Sequence, residues 1–286
     1  MPELPEVQTT VDGINKTSKG RIIKGVWTSY KSAHKMHKGS IKEPLFFKKF
    51  KKIVVGEKII KAERRAKNVL IHLTGGHTIL AHMKMTGFFF YNPPEDAKFM
   101  RLIFELDNGK VLGFSDMRKF AKVTLIETSK LNESIHLAHL GPEPLSKEFN
   151  LKLFISSLMK KSKGKIKTVL MDQTVVSGIG NIYSDEILWL SNVHPLSIMG
   201  NIPLNNLELM FKATKETLNK GIDFGGDSMS DYKNIYGKPG KFQNEHNAYK
   251  KNKTKCKKRG CGGLIERLVV GGRSAHFCPV HQELFK

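Results

Sequence analysis

The hydrophobic period changes partway along this 286-residue chain, and that change limits the fold more than any other feature. From Arg21 to Ile126 apolar residues alternate, as on a half-buried sheet. Val69, Ile71 and Leu73 share one face, Gly75-Gly76 offers a turn, and Asp107-Asn108-Gly109 joins two further apolar runs. Later in the chain the period becomes helical: Leu151, Phe154, Ile155 and Leu158, then Ile182, Glu186 and Trp189, then Leu207, Met210, Phe211 and Thr214. Ahead of the strands, Val7, Val11 and Ile14 lie on one helical face with Pro5 suited to the first turn, which puts residue 2 just outside a helix start. The expected class is α+β: an N-terminal β-sandwich or flattened barrel with an N-terminal helix, then a helical domain.

Boundaries follow from the same pattern. Residues 1–126 form the β domain, and 127–146, with Gly141-Pro142-Glu143-Pro144, read as a linker. Residues 147–249 form the helical domain, and 250–286 a small separate unit. Between about 223 and 247 the chain is rich in Gly, Asp, Ser and Asn, too polar for a core and suited to a functional loop.

Charge selects the partner class. Forty-eight Lys and Arg against 26 Asp and Glu leave a formal net charge of +22, so a polyanion is the expected partner, bound through phosphates. The most apolar run, Ile79 to Tyr91, is broken by His82 and Lys84 and falls short of the ~20 residues a spanning helix needs. Glu3 and Glu6 stand where a signal peptide would be positive, so a cytoplasmic, nucleoid-associated location is expected.

All three cysteines lie beyond residue 255: Cys256-Lys-Lys-Arg-Gly-Cys261, then sixteen residues, then Cys278-Pro-Val-His281. Two close ligand pairs joined by a hairpin-length stretch are the pattern of a tetrahedral zinc site. Four protein ligands leave no open position, so such a Zn²⁺ would be structural. Val269-Val270-Gly271-Gly272-Arg273 places a cation at the hairpin turn.

At the other end, loss of Met1 would expose Pro2 as a secondary amine with an α-amino pKa of about 8. Many chains begin Met-Pro without using it. Here Glu3, Glu6 and the basic Arg64-Arg65-Ala66-Lys67 turn accompany it. An amine attacking a sugar C1′ gives an iminium ion, which acidifies the C2′ proton and lets the 3′ phosphate leave.

Together these segments resemble the formamidopyrimidine-DNA glycosylase family. The resemblance is carried by Met1-Pro2-Glu3-Leu4-Pro5-Glu6-Val7, Arg64-Arg65-Ala66-Lys67, His82-Met83-Lys84-Met85-Thr86-Gly87 and Asp116-Met117-Arg118-Lys119-Phe120. It continues through Leu140-Gly141-Pro142-Glu143-Pro144-Leu145, Gly178-Ile179-Gly180-Asn181-Ile182-Tyr183, Gly237-Lys238-Pro239-Gly240 and the hairpin ending Phe277-Cys278-Pro279.

The resemblance implies a bifunctional glycosylase and abasic-site lyase acting on oxidised purines in double-stranded DNA, as a monomer. Pro2 would be the Schiff-base nucleophile and Glu3 the acid/base. Lys67 would assist near the lesion and the 3′ phosphate, and Arg273 would engage the flanking phosphates. Glu6 would lie in the base pocket, covered by the loop bearing Ser228, Met229 and Tyr232. Met85, Arg118 and Phe120 would fill the hole left by the extruded nucleotide, with His82 in the same motif at the DNA. Lys167 to Asn181 would form a helix-two-turn-helix whose turn amides, with Lys167 and Asn181, bind phosphates. Cys256, Cys261, Cys278 and His281 would hold the zinc.

Three departures stand out. The first cysteine pair is spaced by four residues rather than the usual two, with His281 as fourth ligand in place of cysteine. Phe99 occupies a position where a DNA-contacting histidine is common, and Tyr249-Lys250-Lys251 replaces a Tyr-Gly-Arg. Two other readings remain open at this point: an endonuclease VIII-like enzyme for oxidised pyrimidines, and a non-catalytic damaged-DNA-binding protein. Leu4 and the Arg118/Phe120 pair favour the purine branch, and Pro2, Glu3 and Lys67 together favour catalysis.

Overall fold

The computed structural model describes residues 1–32, 38–229 and 232–286. It divides into two compact units, Met1–Ala138 with Phe224–Lys241, and His139–Asp223 with Phe242–Lys286. Each is described by itself.

The first unit opens with α1 (Leu4–Ser18). Its start is closed by a reciprocal capping box: the Glu3 side chain accepts the Glu6 N–H, and the Glu6 carboxylate accepts the Glu3 N–H at 2.7 Å. Leu4, Val7, Val11 and Ile14 are buried, as the helical spacing predicts. Among the described residues eight strands follow, in two antiparallel four-stranded sheets, the expected sandwich. One contains β1 (Ile23–Thr28), β6 (Met100–Leu106), β7 (Val111–Asp116) and β5 (Gly87–Tyr91), in that order. The other contains β2 (Ile59–Arg65), β3 (Asn68–Leu73), β4 (His77–His82) and β8 (Lys122–Glu127). Both predicted turns join neighbouring strands, with Gly76 and Gly109 at φ 71°.

A helix interrupts the strand pattern where none was expected, α2 (Pro44–Val54). Pro44 opens it, Phe50 and Val54 enter the core, and Lys48, Lys49, Lys51 and Lys52 stay in water. The sandwich core joins these residues to Phe89, Phe104 and Phe114, with Phe89 edge-on to Phe114 at 4.9 Å.

The same core takes in Ile235, and Tyr91 N–H donates to the Ile235 carbonyl at 2.7 Å. Residues 224–241, expected within the helical domain, therefore pack with the sandwich. The hydrophobic anchor of the segment decides this, not its place in the chain. Gly13 makes room for it, since a Cβ there would meet Ile235 Cγ2 at 2.5 Å.

The second unit holds α3 (Leu151–Met159), α4 (Ile166–Met171), α5 (Asn181–Leu190), α6 (Leu204–Asp223) and the hairpin β9 (Glu266–Val270) and β10 (Arg273–Phe277). Asn150 caps α3 by accepting the Leu153 N–H at 2.9 Å. The 127–146 stretch is no bare spacer. Leu131 and Leu137 are buried in the first unit, the units part after Ala138, and Gly141 N–H docks on the Gln173 carbonyl in the second.

Candidate active site, nucleic-acid surface and metal centre

Helix α1 lies along β2. Asn15 exchanges two hydrogen bonds with the Ala62 backbone, and nearer the helix start Arg64 Nε donates to Gln8 Oε1 at 3.0 Å. The helix therefore runs against the strand, and the β2–β3 turn is directed toward the end that carries Pro2 and Glu3. Ala66 takes φ 54° in that turn and Lys67 follows it. Pro2, Glu3 and Lys67 are all buried, Glu3 being 2% and Lys67 5% exposed, so a proline, a carboxyl group and a lysine are withheld from bulk water at one end of the sandwich.

Glu6, expected in the base pocket, joins the start of α1 to the polar loop. One carboxylate oxygen accepts the Glu3 N–H and the other accepts the Asp227 N–H at 2.7 Å. Tyr232, buried, donates its hydroxyl to the Glu6 carbonyl at 3.1 Å, and burial beside Glu6 pushes that phenol above its ordinary range. Ser228 Oγ donates to the Tyr232 carbonyl and accepts the Gly240 N–H, which closes the polar loop on itself. Met229 is 40% exposed. Ser230 and Asp231 of this loop lie outside the described residues.

Met85, Arg118 and Phe120 come together on the surface. The Arg118 guanidinium lies 4.7 Å from the Phe120 ring centroid, and its Nη1 approaches Met85 Sδ at 3.2 Å. Met85 and Phe120 are 41% and 52% exposed, so neither is a core residue of the sandwich. His82 Nδ1 accepts the Lys84 N–H at 3.0 Å, which leaves any proton on Nε2. Burial, with Lys84 and Lys67 nearby, pushes its pKa down to about 3, so the ring is held neutral near pH 7. Phe99 stands half-exposed with the Arg101 guanidinium 5.9 Å from its ring.

In the second unit, the two turns between α4 and α5 are stapled by a residue the sequence reading passed over. Gln173 Nε2 donates to the Met171 and Ile179 carbonyls, and its Oε1 accepts the Gly178 N–H. Gly178 sits at φ 90°. Asn181 opens α5 at the surface side of these turns, partly exposed.

Lys167 corrects an expectation. It is wholly buried, with Nζ bonded to the Asn181 carbonyl, Ser184 Oγ and Asp185 Oδ1 at 2.6–2.9 Å, so it stabilises the motif from within and cannot meet a phosphate. The other Asp185 oxygen accepts both the backbone N–H and Nδ1 of His276 on β10. Next to it, Glu186 accepts the N–H groups of Asn247, Ala248 and Tyr249. The signal for both was two consecutive carboxylates in an otherwise apolar helix, which must be satisfied inside the protein.

Arg273 is exposed beside the Gly271-Gly272 turn, where both glycines take positive φ as a tight hairpin turn requires. At the hairpin base the donor atoms of Cys256, Cys261, Cys278 and His281 all lie within 4.8 Å of one another. His281 Nδ1 is 3.4 Å from Cys256 Sγ and 3.7 Å from Cys261 Sγ, and Cys261 Sγ is 3.5 Å from Cys278 Sγ. Tetrahedral bonds of about 2.3 Å to sulfur and 2.0–2.1 Å to nitrogen would separate such donors by roughly 3.6–3.8 Å. His281 Nε2 lies 3.2 Å from the Trp189 carbonyl, which selects the tautomer with Nδ1 turned to the thiols. The four residues thus fit a metal ion.

Among the described residues no helix is long and apolar enough to cross a membrane. Residues 1–123 match the model of the formamidopyrimidine-DNA glycosylase N-terminal domain, and 140–233 that of its H2TH domain. The chain is 34% identical over 281 residues to the formamidopyrimidine-DNA glycosylase of Streptococcus pneumoniae, covering 98% of each, and 35% identical to that of Herpetosiphon aurantiacus, covering 99% of this chain and all of the other. Among solved structures it is similar to a Lactococcus lactis Fpg variant bound to DNA containing Fapy-dG, with TM-score 0.87, 32% identity and 99% and 100% coverage. It is likewise similar to MutM in complex with DNA containing carbocyclic 8-oxo-G, with TM-score 0.86, 32% identity and the same coverage. With both domain models matched in order and full-length relatives above 30% identity, the chain belongs to the formamidopyrimidine-DNA glycosylase family.

Proposed function

We propose that this protein excises oxidised purines, 8-oxoguanine and formamidopyrimidines, from duplex DNA and cleaves the resulting abasic site by β,δ-elimination. The observation that carries the reading is the start of α1, where Pro2 and Glu3 are buried together at the end of the sandwich toward which the Lys67 turn is directed.

Removal of Met1 converts the Pro2 nitrogen to a secondary amine. It attacks C1′ of the damaged nucleotide, the glycosidic bond breaks, and the departing base takes the bonding electrons. Glu3 protonates the sugar ring oxygen as the ring opens to the iminium, and Lys67 steadies the adjacent phosphate. Glu3, left as a carboxylate, takes a C2′ proton as the 3′ phosphate leaves, and a second elimination, with loss of the C4′ proton and Arg273 on the backbone, expels the 5′ phosphate. Met85, Arg118 and Phe120 occupy the vacated stack, offsetting a few kcal/mol of lost stacking. The loop around Ser228, Met229 and Tyr232 closes over the extruded base, held there by Glu6. Cys256, Cys261, Cys278 and His281 would hold a structural zinc that keeps the Arg273 hairpin in shape. Such an enzyme acts on the bacterial nucleoid.

Borohydride trapping tests the reading. Wild-type protein should form a covalent adduct with abasic-site DNA and Pro2→Gly should not; equal, absent trapping by both would overturn it. Faster release of thymine glycol than of 8-oxoguanine would move the protein to the pyrimidine branch.

A further inference from the structure

The two loops that present Met85 and Arg118/Phe120 are joined by residues that would themselves touch no DNA. Asp116, at the end of β7, is fully buried, a costly place for a carboxylate unless its lone pairs are filled. They are filled by both loops at once. Oδ1 accepts the Thr86 hydroxyl at 2.9 Å, and Oδ2 accepts the Tyr30 hydroxyl at 2.7 Å and the Ala121 N–H at 2.9 Å. Thr86 Oγ1, having donated to Asp116, accepts the Arg118 N–H at 3.1 Å.

A continuous relay thus runs from Arg118 through Thr86 to Asp116 and back to Ala121, on either side of the exposed cluster. Each loop contains one lysine in the left-handed region, Lys84 at φ 53° and Lys119 at φ 58°. These are backbone positions that persist where surrounding bonds hold them. Lys42 adds a further tie, its Nζ donating to the Lys119 carbonyl at 2.5 Å.

We propose that Thr86 and Asp116 are positioning residues which lock Met85 to Arg118 and Phe120, so that the three enter the base stack as one body and the base opposite the lesion is read at a fixed spacing. This rests on the reading of those three residues as hole-fillers. The Thr86 hydroxyl and the Asp116 carboxylate each bond to both loops, and the hydroxyl is the one that can be removed with little change of side-chain shape.

The experiment uses the full-length protein and the variants Thr86→Val, Thr86→Ser and Asp116→Asn. Single-turnover excision of 8-oxoguanine is measured in duplexes with cytosine or adenine opposite. Borohydride trapping is measured on a single-stranded abasic oligonucleotide, which has no stack to fill. Thr86→Val should lose about tenfold in duplex excision, as misplaced contacts typically cost at least that. Its cytosine-to-adenine ratio should collapse toward one while single-strand trapping stays within about twofold of wild type. Thr86→Ser should restore both rate and ratio, and Asp116→Asn should behave as Thr86→Val or worse.

Wild-type rate and ratio in Thr86→Val would overturn the proposal, and so would parallel loss of duplex and single-strand activity. A wild-type protein that neither releases 8-oxoguanine nor traps would instead overturn the underlying glycosylase reading.

Discussion

The Glu6 carboxylate accepts the backbone N–H of Asp227 at 2.7 Å, a bond between positions 221 residues apart in sequence. Its other oxygen closes the capping box of α1, so one side chain ties the helix start beside Pro2 to the polar loop at Asp227.

Replacing Glu6 by Gln keeps the shape but turns one acceptor into a donor facing a backbone N–H. A stability loss of about 1–3 kcal/mol is expected from the buried mismatch. Excision of 8-oxoguanine should fall further than cleavage of a preformed abasic site, which has no base to cover. Thermal denaturation and paired excision and strand-cleavage assays check this.

Lys167 distinguishes a structural from a DNA-binding role. Lys167→Met leaves Asp185 buried without its ammonium partner, and breaking such a pair costs about 3–5 kcal/mol. Because Lys167 reaches no phosphate, the slope of log affinity against log salt should match wild type in whatever fraction remains folded. A slope smaller by about one would return Lys167 to the DNA surface.

His82 predicts an acid-sensitive fold. An unfolded histidine titrates at about 6.5, whereas burial and the neighbouring lysines hold His82 down to about 3. Between those values the unfolded chain binds more protons than the native protein, so stability rises with pH across that window and falls on acidification. His82→Gln should show a shallower loss of Tm below pH 6.5. Between pH 6.5 and 8 the residue stays neutral in the native state.

Metal removal should act locally. Chelation should lower affinity for abasic duplex and raise amide exchange in residues 250–286, while the sandwich keeps its exchange protection. His281→Ala should reduce bound zinc below one per chain. Unchanged DNA affinity in metal-free protein would separate the hairpin from DNA binding.

Much of this was legible in sequence because it depends on period and spacing. The sandwich came from strand alternation, α1 from Val7, Val11 and Ile14, and the metal cluster from two ligand pairs. The sequence is less informative where one side chain answers to a distant partner. Ile235 is an ordinary apolar residue until Tyr91 and Gly13 receive it, and only then does the polar loop belong to the sandwich. Lys167 reads as a surface cation until Asp185 is known to face it, and that acid lies on the next helix. Helix α2 was hidden by the strand alternation on either side of it, although Phe47, Phe50 and Val54 keep helical spacing among its lysines.

Helix α5 also explains a latitude in the tail. Its adjacent carboxylates hold His276 on one side and the 247–249 turn on the other, so the hairpin's placement rests on protein hydrogen bonds as well as on the four donors at its base. An ion in such a hairpin shares the load with those bonds. Such sharing suits a ligand set with a wide first spacing and an imidazole as its fourth donor, because the place of the arginine at the tip does not rest on those donors alone.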